Sequence, residues 1–263
     1  MLSGVRRKRL VAIASSAWIV LALGATPAHA VQAAAEGPTG TLTVSAAASL
    51  SDVFPRIAEA FTRRYPGTTI TFNFGGSSTL VNQVIGGAPV DVLATASEPT
   101  MWKAVNAGVA NRPWLFARNT MAIAMPPDNP ARITTLADLT RPGVLVGICA
   151  VEVPCGAAAR DLLAKNRLAI TPVTRELDVR TLLAKVVSGD LDAGIVYVTD
   201  VRAVGRQVAS VSIPHADNVT TTYPIATVGR TSNPRLATEF VHYVRFSTSA
   251  QGLLRAYGFA RPW

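Results

Sequence analysis

Histidine and cysteine are scarce in this chain, with three and two copies among 263 residues. His215 and His242 are solitary, and no further Cys or His stands at ligand spacing from the cysteine pair, so a metal centre is not expected. The same scarcity leaves no Ser–His–Asp or Cys–His set, and G-x-S-x-G does not occur. A secreted hydrolase using Ser49, Ser77 or Cys155 as nucleophile would therefore lack its base, and the chain is not read as an enzyme. Basic residues outnumber acidic ones, 25 to 16, yet past the N-terminus they are scattered and never interleave with aromatics as a stripe. Nucleic acid is a poor fit to that pattern. Beyond about Ala25 no apolar run approaches the ~20 residues of a spanning helix.

What is present begins with Arg6, Arg7, Lys8 and Arg9, an apolar run from Leu10 to about Ala25, and the small-residue site Ala28-His29-Ala30. This is the layout of a secretory signal peptide over residues 1–30. The alternative, an uncleaved membrane anchor, is disfavoured by the shortness of the run. No Cys closes the run to carry a lipid. Cleavage would remove four bases and no acid, lowering the net charge from +9 to +5, and would leave 233 residues. That is enough for one large domain or two lobes, with residues 31–40 as a flexible lead-in. The location expected is the periplasm or the outer face of the cytoplasmic membrane. In an exported chain Cys149 and Cys155, with five residues between them, predict a disulfide rather than two free thiols. Closing that seven-residue loop contributes ~2.4 kcal/mol on the chain-entropy model.

Strands and helices alternate along the rest, which predicts an α/β fold with mostly parallel sheets. Thr41–Ala46 reads as a buried strand. Leu50, Val53, Phe54, Ile57, Ala58 and Phe61 then fall on one helix face. Between them AAASLSD offers Ser49 and Ser51 and no bulky side chain. A strand breaking into a serine-bearing loop that opens a helix aims N–H groups, hydroxyls and a positive dipole end at one point, which can hold an anion. The ordinary alternative is a serine N-cap. The arrangement repeats: strand Thr68–Phe74 runs into Gly75-Gly76-Ser77-Ser78 at the head of a helix ending at Gly86-Gly87. Successive βα loops of a parallel sheet leave by the same edge. Leu115–Met125 reads as a strand crossing towards a second lobe, Val144–Ile148 as a strand before the Cys149–Cys155 loop, and Leu177-Asp178-Val179 as another helix opening with Asp178 as N-cap. Ala193–Val198 reads as a strand carrying Tyr197. Pro224 in Thr220–Val228 predicts a crossing or edge segment. Pro55 fits a helix best if Ser51 caps it, since Pro55 then falls in the first turn.

AAASL (46–50), GGSSTL (75–80), GAPVDVLATA (87–96), VPCG (153–156), LDVR (177–180), GDLDAGIVY (189–197) and YGF (257–259) together resemble the periplasmic molybdate-binding proteins of ABC-type importers. The resemblance covers nearly all of the chain after the signal, in order. It implies a two-lobed periplasmic-binding-protein-like (type II) fold, with residues 41–120 and 223–263 as lobe one and 121–222 as lobe two. It also implies a tetrahedral oxyanion in the cleft between the lobes, molybdate or tungstate, held without counter-charges or direct metal ligands and with no cofactor. Its contacts would be Ser49 and Ser77 through hydroxyl and N–H, the N–H groups of Cys155 and Val179, and the Tyr197 hydroxyl. The partner implied is the membrane permease of the importer, met by a monomer. The chain departs from the family at Cys155, a position that is small in the family; a backbone donor survives the change. The same fold binding another oxyanion, such as sulfate, is the nearest alternative.

Overall fold

In the computed structural model, which describes residue 1 and residues 37–262, the chain alternates strand and helix from Gly40 onward. The expected signal peptide and most of the lead-in lie outside the described residues. Strand β1 (Gly40–Ala47) is buried along most of its length because β2 (Thr68–Gly75) and β3 (Val92–Ala94) flank it in parallel and helices cover its faces. Helix α1 (Val53–Arg64) buries Phe54, Ile57 and Phe61; α2 (Ser77–Ile85) and α3 (Glu98–Asn106) follow β2 and β3. The long strand β4 (Trp114–Met125) leads away to β5 (Val146–Cys149), α4 (Pro154–Lys165), β6 (Thr174–Glu176), α5 (Val179–Val187), β7 (Ala193–Tyr197), α6 (Val198–Val204) and β8 (Ala209–Ser212). Strand β9 (Thr220–Thr227) returns, and α7 (Pro234–Phe246) and α8 (Thr248–Ala256) complete the chain.

The strand order is β2-β1-β3-β9-β4-β7-β5-β6, with β8 also on β4. Up to Thr120, β4 pairs with β9; from Met121 onward it pairs with β7 and β8. The sheet therefore has a β1–β3 side and a β5–β7 side, each parallel within itself, bridged by β4 and β9. It is mixed rather than mostly parallel, because β9 runs antiparallel to β3 and β4, and β4 antiparallel to β7 and β8. A strand that returns between two sides cannot keep the direction of both.

Three local expectations change. Helix α1 begins at Val53 with Asp52 as N-cap, after a separate 3-10 turn over Ala48–Leu50, so Ser51 is not the cap. Pro55 still falls in the first turn, where it costs no helical hydrogen bond. Pro224 does lie in a crossing segment, since β9 bridges the two sides, but that strand is central rather than at an edge, and Pro224 stands opposite a bulge between Leu115 and Ala117. Strand β6 has no hydrophobic run to announce it; three residues, Thr174–Glu176, pair with β5 at the sheet edge.

The main core runs through both sides, from Phe54, Phe61 and Phe240 to Leu162, Leu182 and Ile195. Phe61 and Phe240 meet edge to face at 5.2 Å, a favourable arrangement for aromatic pairs. A second cluster, with Leu80, Leu93 and Met101, seats α2 and α3 on β3 and β9.

Candidate functional site

Helix openings meet where the two sides of the sheet approach. One cavity of ≈ 20 Å³ is lined by Ser49, Gly76, Ser77, Ala96, Pro154, Cys155, Asp178, Val179 and Tyr197, among others. All five residues expected to contact the ligand thus stand on one cavity. Its volume is far below the ~300–1,000 Å³ of pockets for organic ligands. Among the described residues the only charged one lining it is Asp178. A neighbouring cleft of ≈ 590 Å³ carries both signs, with Glu98, Lys103, Glu152, Arg160 and Asp161, and so has no net pull on an anion.

Each opening presents N–H groups for a definite reason. The first N–H groups of a helix find no partner inside it. In α4, Pro154 is the first residue and has no N–H, so Cys155 provides the first donor. In α5, the Asp178 carboxylate accepts from the N–H groups of Arg180 and Thr181 at 2.8 and 2.9 Å. That cap leaves Val179 N–H unclaimed by it, at the mouth of the helix. In α2, Ser77 is the first residue, so its N–H has no partner within the helix, and its N-cap, Gly76, adds no side chain at that point. A Cβ on Gly76 would fall 2.2 Å from the Leu177 carbonyl oxygen, so glycine is what lets the two segments approach. Cys155 is disulfide-bonded to Cys149, Cα to Cα 5.7 Å, which ties the start of α4 to the end of β5.

The hydroxyls are equally constrained. Ser77 Oγ accepts the Ala96 N–H at 3.1 Å. Ser49 Oγ and Tyr223 Oη share a hydrogen bond of 2.9 Å, both buried. Tyr197, at the end of β7, is 1% exposed, and among the described residues its Oη has no hydrogen-bond partner. Burial, reinforced by Tyr223 and Asp200, pushes the Tyr197 phenol well above its ordinary pKa, so it keeps its proton and remains a donor. A buried phenol without a hydrogen-bond partner of regular geometry among the described residues, on a residue that lines the cavity, is the kind of group a bound acceptor would satisfy.

Behind the cavity, Arg180 pairs with Asp52 at the head of α1 and lies 3.1 Å from Asp200 Oδ1. Its charge is held by these two carboxylates outside the cavity lining. Ser78 Oγ adds a second bridge between the sides, donating to the Glu152 carbonyl at 2.6 Å. Sequence reasoning missed Tyr223, Asn119 and Arg180. Nothing local marks the first two, whereas Arg180 sat inside the LDVR motif.

An α/β sheet with helix openings gathered on a small donor-lined cavity is suited to holding a small solute, an anion above all. The model of the bacterial extracellular solute-binding protein family matches residues 42–260, and the chain belongs to that family. It is 41% identical over 253 residues to the molybdate-binding protein ModA of Mycobacterium tuberculosis, covering 94% of this chain and 96% of the relative. The fold is similar to the periplasmic molybdate-binding protein of Azotobacter vinelandii, with a TM-score of 0.74 at 18% identity over 84% of this chain and all of that one. It is also similar to the sulfate-binding protein SubI of M. tuberculosis, with a TM-score of 0.71 at 21% identity over 84% of this chain and 86% of that one.

Proposed function

We propose that this protein captures molybdate, and tungstate with it, and delivers it to the permease of an ABC importer outside the cytoplasm. The observation that carries the reading is the convergence of Ser49, Ser77, Cys155, Val179 and Tyr197 on one cavity that no cationic side chain among the described residues lines. Molybdate at neutral pH is a dianion that offers only acceptors, and the cavity offers donors. Hydrogen phosphate carries a proton needing an acceptor, and leaving it unpaired costs ~1–3 kcal/mol. Sulfate is rejected by size, and tungstate, nearly isosteric with molybdate, binds about as well. The naming of the M. tuberculosis relative as a molybdate-binding protein supports this choice of ion. The SubI likeness keeps sulfate as the rival to be tested.

The site works as a cleft between two lobes, residues 41–120 with 223–263 and residues 121–222. The change of partners on β4 between Thr120 and Met121 supports that division. Lobe closure desolvates the ion, and the loaded monomer docks on the permease. Nucleophilic chemistry finds no support here: Ser49 is bonded to Tyr223, Ser77 to a backbone N–H, and Cys155 to Cys149.

Isothermal titration with molybdate, tungstate, sulfate and phosphate tests the proposal. Tight binding of the first two with the others silent is expected; a sulfate response with molybdate silent would replace the ion. Ser77→Ala combined with Tyr197→Phe should abolish binding and leave the fold intact, and unchanged affinity would refute the site.

A further inference from the structure

We infer that Asn119 and Tyr223 are positioning residues that set the direction of the Ser49 hydroxyl, so that it offers its proton to the cavity and favours a fully deprotonated anion. The inference rests on the reading of the cavity as an oxyanion site.

The argument starts from a backbone N–H, which can only donate. Thr120 N–H donates to Asn119 Oδ1 at 3.0 Å. That fixes the orientation of the amide, since the opposite one would set two donors face to face. The Asn119 NH2 group must then point the other way, and it donates to Thr199 Oγ1 at 2.8 Å and to Tyr223 Oη at 3.3 Å. With its oxygen already accepting, Tyr223 has its own proton to place. The partner of regular geometry that remains is Ser49 Oγ, at 2.9 Å. One lone pair of the Ser49 oxygen is thereby taken by a donor, and its proton is left for the cavity.

All four side chains in this relay are buried: Ser49 is 3% exposed, Asn119 2%, Thr199 3% and Tyr223 0%. Burial also holds the Tyr223 phenol above its ordinary pKa, so the proton stays on the ring oxygen at any working pH. Ser77 reaches the same state by a shorter route, its oxygen filled directly by the Ala96 N–H. Both serines have one acceptor position occupied from behind. The cavity thus favours an anion without a proton because its own hydroxyl protons are turned towards it, which a list of the contacting residues would not reveal.

Two variants and one diffraction measurement test this. Tyr223→Phe keeps the ring that packs on Phe259 at 5.3 Å and on Phe116 at 6.2 Å, and removes only the donor to Ser49. The expected result is a fall of about tenfold or more in the ratio of molybdate to hydrogen phosphate affinity, because the Ser49 proton is free to turn from the cavity and leave the oxygen to accept there. Asn119→Asp offers Tyr223 only acceptors and should draw the proton away from Ser49, lowering the ratio further. Both probes are dianions, so a purely electrostatic effect of the new carboxylate cancels in that ratio. Affinities that fall together, or a ratio within about twofold of wild type in both variants, overturn the inference.

Neutron diffraction of deuterium-exchanged, ligand-free crystals reads the relay without any anion. A Tyr223 deuteron on the line to Ser49 Oγ is expected; a Tyr223 deuteron aimed elsewhere, or a Ser49 deuteron aimed at Tyr223, overturns it. Wild-type silence to molybdate would instead overturn the choice of ion and leave the relay to be judged by the deuterons.

Discussion

Gly76 holds a place that no other residue can fill without moving a neighbour, because the Leu177 carbonyl stands where its Cβ would be. Gly76→Ala should push residues 177–179 away from the head of α2 and carry the Val179 N–H with them. Molybdate affinity is expected to fall about tenfold or more while the thermal transition stays cooperative. Titration beside a melting curve checks this, and wild-type affinity would show that the approach is not needed for binding. At this scale the sequence reveals what is local. Ser77, Asp178 and Val179 can be recognised as helix-opening residues because caps and small residues act within a turn. Tyr223 and Asn119 cannot. Ser49 and Tyr223 are 174 positions apart, and Asn119 comes beside Tyr223 only through the register of β4 on β9, which places Asn119 opposite Thr221.

Among the elements, the junction of β5 and α4 is the most constrained. The disulfide joins the last residue of the strand to the second of the helix, and a Cβ on Gly156 would lie 1.9 Å from the Ala150 carbonyl oxygen. Replacing both cysteines, Cys149→Ser with Cys155→Ser, should lower stability by ~2 kcal/mol in denaturant unfolding. Molybdate affinity should fall less than in Tyr197→Phe, since the N–H of residue 155 remains. A larger affinity loss than in Tyr197→Phe would mean that the staple, and not the helix opening, holds the donor in place. Most elements are readable from period and caps. Strand β6 is not, because its three residues depend on β5 for their conformation. Pro224 misleads towards an edge because its tolerance comes from a bulge on the partner strand.

For the molecule as a whole, Asp200 offers a pH-dependent handle on the contact between the two sides of the sheet. Burial raises its carboxyl to about 7 against the opposing pull of Arg180, with Asp52 and Asp178 adding to the rise. An unfolded aspartate titrates near ~3.9, so between these values the folded protein binds a proton that the unfolded chain does not. The contribution of Asp200 to stability therefore falls as pH rises through about 7 and levels off above it. Asp200→Asn should be more favourable relative to wild type at pH ~8 than at pH ~5. Melting curves for both proteins across that range check the sign, and parallel curves would refute it. The ordering of the strands has a consequence of a different kind. Because β9 lies between β3 and β4, the β1–β3 side lacks its inner neighbour until Thr220–Thr227 has been synthesised. A nascent chain with this topology cannot join the two sides of its sheet early; they are bridged only when about the last sixth of the chain arrives.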